Sequence, residues 1–395
     1  MSPLGSRDRP SVRPQTPPRH LFRRPAPSRP APLLRAAPFA LFRHFPPPPF
    51  LRLFRRTPET GQPLFRRRAT ASKALPVYTG NTMEAILVMA QNPAAVAICH
   101  RAMTASLGPK PLVAVGQVTS TPDKEQNFNS CSALVRAAAQ RGACIVFLPE
   151  GFDYIGRDSA QTLSLAESLD GELMARYCAL ARDCGVWLSL GGFHERRADW
   201  SSTQRIYNCH VLLDPTGRMA ATYRKTHLCD VELEGRVTMK ESSFTNPGTE
   251  IVPPVSTPAG MLGLSICYDL RFPEISLALR HAGAEILTYP SAFTFPTGSA
   301  HWEVLLRARA IETQCYVVAA AQTGQNHESR VSYGHTLVAD PWGTVVAQCS
   351  DGPGLCYAEI DLEYLRRVRR EIPVHSHRRA DLYGTVGLQA ALSDP

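Results

Sequence analysis

Apolar runs of strand length alternate along this chain with segments of helical period, and the alternation begins abruptly. "KPLVAVGQVTS" (Lys110–Ser120) is strand-like, and "NFNSCSALVRAAAQRG" after it puts Cys131, Leu134, Val135 and Ala138 on one helical face. "CIVFLPEGF" reads as a buried strand closed by Pro and Gly. A helix in "GELMARYCALARDCG", a strand in "VWLSLGGF" and a strand pair around "DPTGR" continue the series. The pattern predicts β/α architecture with a hairpin added.

The plan then repeats. "YNCHVLLDPTGRMAATY" (Tyr207–Tyr223) aligns with "YGHTLVADPWGTVVAQC" (Tyr333–Cys349) through its Tyr, its Asp-Pro-x-Gly and the flanking apolar positions. Asp-Pro-x-Gly suits a tight connection, because Pro fixes φ and Gly accepts a positive one. "GACIVFLPEGF" matches "GAEILTYPSAF" (Gly283–Phe293) in the same way. Two similar halves imply two sheets packed face to face with helices outside, an α/β fold of four layers, α-β-β-α. Strand ends of both halves then meet at one edge.

Composition changes the picture only at the N-terminus. The net charge of +9 comes from residues 1–80, which carry +14, while the remainder carries −5. A nucleic-acid surface is therefore not implied. Residues 1–108 are Pro- and Arg-rich and cannot bury enough apolar area to offset their conformational entropy. They are expected to be a disordered leader, either a transit peptide or the product of an alternative start, with Met83, Met89 or Met103 as the initiator. The expected location is the mitochondrion, the cytoplasm or both, depending on the start used. The folded domain is expected over 109–386, with a short tail at 387–395.

Eleven cysteines, scattered and without a C-x-x-C pair, argue against a disulfide framework and for a reducing compartment. No apolar run reaches bilayer-spanning length, so no membrane partner is expected. His194, His210 and His227 lack ligand spacing, no G-x-G-x-x-G follows a strand, and neither metal nor organic cofactor is implied.

Three strand ends carry unusual chemistry: "FLPE" delivers Glu150, "TYRKTHL" delivers Lys225, and "LSIC" delivers Cys267. A cysteine closing an apolar run is ordinarily inert core. Here the run breaks at once into Tyr-Asp-Leu-Arg-Phe-Pro-Glu, the exposure that a nucleophile on a strand-to-helix turn needs. "FLPEGF", "YRKTHL" and "GLSICYDLRFPE" resemble the three motifs of the nitrilase (carbon–nitrogen hydrolase) superfamily, and the resemblance extends from about Leu112 to Gly384. It implies a nitrilase-type sandwich and a Glu150–Lys225–Cys267 triad. Gly151 and Ala380 depart from the branch that the chain is most similar to, which shows Ala and Pro there.

In chemical terms, the Cys267 thiolate attacks an amide carbonyl, Lys225 and the Tyr268 N–H meet the oxyanion, and Glu150 handles protons. Lys225 is also expected to depress the thiol pKa. The resemblance adds Glu241 as a second carboxylate, against the plainer reading of a surface loop acid. It adds Arg271 as a guanidinium for a substrate carboxylate, against a structural pair with Asp269 or Glu274. Tyr154, Phe293 and His301 are plausible pocket walls.

The resemblance implies a thiol-dependent amidase that splits the amide of deaminated glutathione through a Cys thioester, giving a 2-oxoglutarate-type product and cysteinylglycine. The alternatives are an ω-amidase acting on α-ketoglutaramate or related dicarboxylate monoamides, a Cys-His enzyme with His227 or His301 as base, and a non-catalytic scaffold. The expected partners are the small amide and further copies of the chain, as a homodimer or larger homo-oligomer.

Overall fold

The computed structural model describes residues 109–233 and 237–389. The leader expected over 1–108 and the tail beyond Gln389 lie outside the described residues. In chain order the strands begin with β1 (Leu112–Val118), β2 (Ile145–Leu148), β3 (Trp187–Glu195), β4 (Tyr207–Leu213) and β5 (Met219–Arg224). Then come β6 (Asp230–Leu233), β7 (Val237–Lys240), β8 (Val255–Thr257), β9 (Gly260–Gly263), β10 (Ile286–Thr288) and β11 (Tyr316–Ala319). The last are β12 (Ala321–His327), β13 (Arg330–Tyr333), β14 (Leu337–Ala339), β15 (Val345–Gln348) and β16 (Gly354–Glu359). The helices are α1 (Lys124–Gln140), α2 (Ser159–Leu165), α3 (Glu172–Cys184), α4 (Trp200–Thr203), α5 (Pro273–His281), α6 (Phe295–Thr313), α7 (Leu362–Glu371) and α8 (Ala380–Tyr383).

The expected doubling is present. One sheet runs β13-β12-β1-β2-β3-β4-β5, with β16 also paired to β1, and the other runs β15-β14-β11-β10-β9-β8. The two Asp-Pro-x-Gly connections fold alike. In the first, Asp214 accepts from the N–H groups of Thr216 and Arg218, and Gly217 sits at φ +80°. In the second, Asp340 accepts from Trp342 and Thr344, and Gly343 sits at φ +89°. A carboxylate two residues ahead of the bend is what lets so short a loop satisfy its own donors.

Side-chain alternation then sorts residues into layers. Val113 and Val115 of β1, Phe147 of β2 and Leu212 of β4 face a shared core with Leu262, Ile286 and Val317 of the second sheet. Ala114, Val146, Leu148 and Val211 point the other way, onto Val135 and Ala138 of α1 and Met174 and Tyr177 of α3. Ile275 and Leu279 of α5 and Trp302 and Leu306 of α6 cover the second sheet. This is the α-β-β-α sandwich. Among the described residues no helix is long and apolar enough to cross a membrane.

After α7 the chain lies on its own body, Ile372 O accepting from the Gln314 side chain (2.6 Å) and Arg378 donating to Glu312 O (3.1 Å). Farther on, Leu382 and Tyr383 are exposed.

Candidate active site

Cys267 opens a single 3-10 turn, Cys267–Arg271, four residues past the end of β9. Its φ is +44°, a left-handed conformation that a residue with a Cβ adopts only when its surroundings hold it there. The restraints are visible. Cys267 N–H donates to Pro290 O (2.9 Å), and the Asp269 carboxylate accepts from Ile266 N–H (2.8 Å), the Tyr223 hydroxyl (2.7 Å) and His227 Nδ1 (2.7 Å). Asp269 is fully buried, so the turn is anchored from beneath. Among the described residues nothing accepts from the Tyr268 N–H, which stands beside the thiol at the start of the turn.

Glu150 follows β2 and Pro149, at the centre of the first sheet. Gly151 turns the chain there at φ +66° and donates to Gly192 O (3.0 Å). Gly192, at φ +104°, has no room for a side chain, since a Cβ there would come within 2.9 Å of Glu150 Cα. The Gln322 side chain donates to both Glu150 O (3.0 Å) and Gly151 O (3.1 Å). The carboxylate is thus placed by backbone contacts rather than by reach.

Lys225, immediately after β5, is 2% exposed. Its Nζ donates to Glu150 Oε1 (2.9 Å) and to Glu241 Oε2 (2.9 Å) and Oε1 (3.1 Å). Glu241 is buried, and it also accepts from Cys229 N–H (2.7 Å), so it is no surface acid. Asn208, on β4, was not singled out in the sequence. It donates to Glu150 Oε1 (2.9 Å) and Glu241 Oε1 (3.3 Å), and its backbone carbonyl accepts from Lys225 N–H (2.9 Å).

The charges follow from this arrangement. Burial alone would raise the Glu150 carboxyl, but the Lys225 ammonium, the Cys267 thiol and the Arg330 guanidinium together hold it below its ordinary value. Burial alone would lower Lys225, and the two carboxylates raise it well above its ordinary value instead. The depressed thiol expected at Cys267 is not what the structure produces. Burial first and the Glu150 charge second push that thiol well above its ordinary value, and Lys225 offsets only part of this. The resting pair is therefore a carboxylate and a neutral thiol, an arrangement in which the carboxylate can accept the thiol proton. A second thiol, Cys229, is pushed up to about 11, mainly by burial.

The remaining candidates divide. Arg271 does not pair with Asp269 or Glu274: Asp269 is turned inward, and the guanidinium lies over the rings of Tyr268 and Phe293 (5.6 and 5.5 Å), 3.3 Å from His301 Nδ1. Phe293 and His301 thus gather around it. Tyr154 is not the substrate-facing residue expected. It is 1% exposed, its hydroxyl donates to Thr162 O (2.7 Å), and its ring stacks on His194 (4.2 Å). His227, weighed as an alternative base, is bound to Asp269 and stacked on Phe272 (3.9 Å).

The chain is similar to known proteins in sequence and in fold. Residues 112–370 match the family model described as carbon-nitrogen hydrolase. The human deaminated glutathione amidase is 69% identical over 277 residues, covering 70% of this chain and 85% of that protein. The crystal structure of the C. elegans NitFhit protein is similar with a TM-score of 0.66 and 51% identity, over 70% of this chain and 66% of that one. An amidase from Nesterenkonia sp. AN1, in a mutant whose active-site cysteine carries the acetamide moiety of fluoroacetamide, is similar with a TM-score of 0.57 and 26% identity, over 70% of this chain and 97% of that one.

Proposed function

The chain belongs to the carbon–nitrogen hydrolase family, and on that premise we propose that it hydrolyses the amide of deaminated glutathione through a thioester on Cys267. The observation that carries the proposal is the Lys225 ammonium held between Glu150 and Glu241, with a cysteine on a left-handed turn beside it. The activity of the human relative supports the choice of amide.

Glu150, ionised at rest, takes the Cys267 proton as sulfur attacks the amide carbon. The oxyanion is met by the buried Lys225 ammonium and by the Tyr268 N–H. Collapse of the adduct breaks the C–N bond. Glu150 passes its proton to the departing nitrogen, and cysteinylglycine leaves with the thioester behind it. A water then gives a proton to Glu150 and adds to the thioester carbon, and collapse returns the proton to sulfur and frees 2-oxoglutarate. Glu241 and Asn208 act as positioning groups for Lys225 and Glu150. Arg271 supplies a planar donor pair for the carboxylate of the 2-oxo acid. No metal or organic cofactor enters the scheme.

A primary amide such as α-ketoglutaramate passes through the same steps and releases ammonia. Turnover of the two substrates by the purified protein, with cysteinylglycine and ammonia quantified separately, tests the reading. A higher kcat/KM for deaminated glutathione is expected, and absence of cysteinylglycine release overturns it. For location, the proposal remains mitochondrion, cytoplasm or both. Imaging of the full chain against a chain begun at Met103 decides whether the first hundred residues direct import.

A further inference from the structure

A second guanidinium stands at the site with no acid to neutralise it. The hairpin of β12 and β13 reaches from one catalytic segment to the other. At its base Gln322 holds the carbonyls of Glu150 and Gly151, and on its return strand Tyr333 N–H donates to Phe293 O (2.9 Å). Arg330, the first residue of that return strand, donates to Ala292 O (3.3 Å), while Arg271 lies over the neighbouring Phe293 ring. The two cations therefore flank the Ala292–Phe293 segment. Arg330 is half-buried, and among the described residues no Asp or Glu pairs with it or with Arg271. Its field reaches Glu150, whose carboxyl it helps to hold down after burial, Lys225 and Cys267 have acted. Arg157 lies on the same side. Burial, then Arg330 and Arg157, push the His327 ring below its ordinary value, so that ring is neutral beside the two cations.

Which end of a substrate Arg330 faces follows from the proton's path. Glu150 hands its proton to the departing nitrogen, so that nitrogen must face Glu150, and whatever is attached to it extends from there. Arg330 belongs to the hairpin whose Gln322 is bonded to Glu150 and Gly151, whereas Arg271 rides on the turn of Cys267, so Arg330 is the guanidinium on the Glu150 side. This step rests on the reading given under the proposed function. Deaminated glutathione carries one carboxylate at its 2-oxo acid end and one at the end of the departing dipeptide, and two unpaired guanidinium groups stand ready. We infer that Arg330 binds the terminal carboxylate of the leaving dipeptide, while Arg271 holds the 2-oxo acid, so that Arg330 selects amides of an acidic peptide over primary amides.

The test compares kcat/KM for three substrates: deaminated glutathione, the same compound with its terminal carboxylate converted to a carboxamide, and α-ketoglutaramate. In the wild-type protein, capping the carboxylate is expected to cost roughly 10-fold or more, as for a charge-assisted hydrogen bond. In Arg330→Met the ratio between the free and capped substrates should collapse towards one, and Arg330→Lys should restore part of it. An effect of Arg330→Met exerted through Glu150 lowers all three substrates together and cancels in the ratio. Arg271→Met, by contrast, should lower all three. If the wild-type protein turns over free and capped substrates equally, or if Arg330→Met keeps the wild-type ratio, the inference is overturned while the proposed activity stands. If the wild-type protein releases no cysteinylglycine, the underlying reading fails and takes the inference with it. Should Arg330→Met not fold, Arg330→Gln takes its place, and a wild-type ratio of free to capped substrate in that variant overturns the inference.

Discussion

The Nζ of Lys225 lies 2.9 Å from Oε1 of Glu150, although 75 residues separate them, and the contact is 2% exposed on the lysine side. Glu241 holds the same ammonium from a third segment. One cation thus fixes two carboxylates where neither could be buried unpaired.

Lys225→Arg keeps the charge and loses the compact tetrahedral site, since a planar fork cannot meet two carboxylates and an oxyanion at once. Turnover should fall on the order of 10²- to 10³-fold. Lys225→Met should also destabilise the fold by about 3–5 kcal/mol, because it leaves two buried acids facing each other. Steady-state kinetics and denaturant unfolding check both, and near-normal turnover in the arginine variant removes Lys225 from the chemistry.

The pH dependence follows from the directions of the shifts. Glu150 is held below its ordinary 4.5, so its contribution to stability and its role as base are present above that value and are lost as pH falls through the depressed one. Lys225 is raised above 10.5, so its contribution is full below that value and is lost as pH rises through the raised one. The kcat/KM profile should therefore be flat from about pH 6 to 9. An enzyme working through a free thiolate at Cys267 would instead climb across that interval, and such a climb in the measured profile contradicts the assignment of Glu150 as base.

Asp269 keeps Cys267 at positive φ by accepting from Ile266, Tyr223 and His227. Asp269→Asn turns one acceptor oxygen into a donor facing donors. The expected loss is about 2–4 kcal/mol of stability, with turnover reduced further than stability alone explains. Denaturant unfolding together with the rate of alkylation of Cys267 by iodoacetamide measures both effects. A variant of wild-type stability and activity shows that the turn needs no such anchor.

The strand ends bearing Glu150, Lys225 and Cys267 and the doubled Asp-Pro-x-Gly hairpin were legible, because turn chemistry and strand pattern are written in neighbouring residues. Asn208 was not, since a lone Asn inside a strand resembles any other polar position until its partners, 58 and 33 residues away, are known. Gln322 and Arg330 reach the site only through the β12–β13 hairpin, a contact without local signal. Asp269 was weighed as a partner for Arg271 because the two are close in sequence. On the tight turn they diverge, one into the core and one over the aromatic rings. The direction of the thiol shift is not legible in the motif, which shows Lys225 but neither the burial nor the facing carboxylate that outweigh it in the folded chain.

We propose a homodimer or larger assembly in which the stretch after α7 reaches a neighbouring copy. Residues 372–378 contact their own body, whereas Leu382 and Tyr383 are exposed, an apolar pair that a neighbouring copy would cover. Light scattering should give a dimer or more for the full chain and a smaller species for a chain ending at Arg370. A full-length monomer removes the claim, and an unchanged oligomer in the shortened chain removes the part played by its end.

The most direct test of the account is a rapid acid quench of the wild-type protein during turnover of deaminated glutathione, followed by peptide mass mapping. The account predicts one 2-oxoglutaryl group in thioester linkage on the peptide that contains Cys267, labile to hydroxylamine and absent in Cys267→Ser, whose turnover falls by several orders of magnitude. Steady release of cysteinylglycine with the Cys267 peptide unmodified at every quench time, or undiminished turnover in the serine variant, contradicts it.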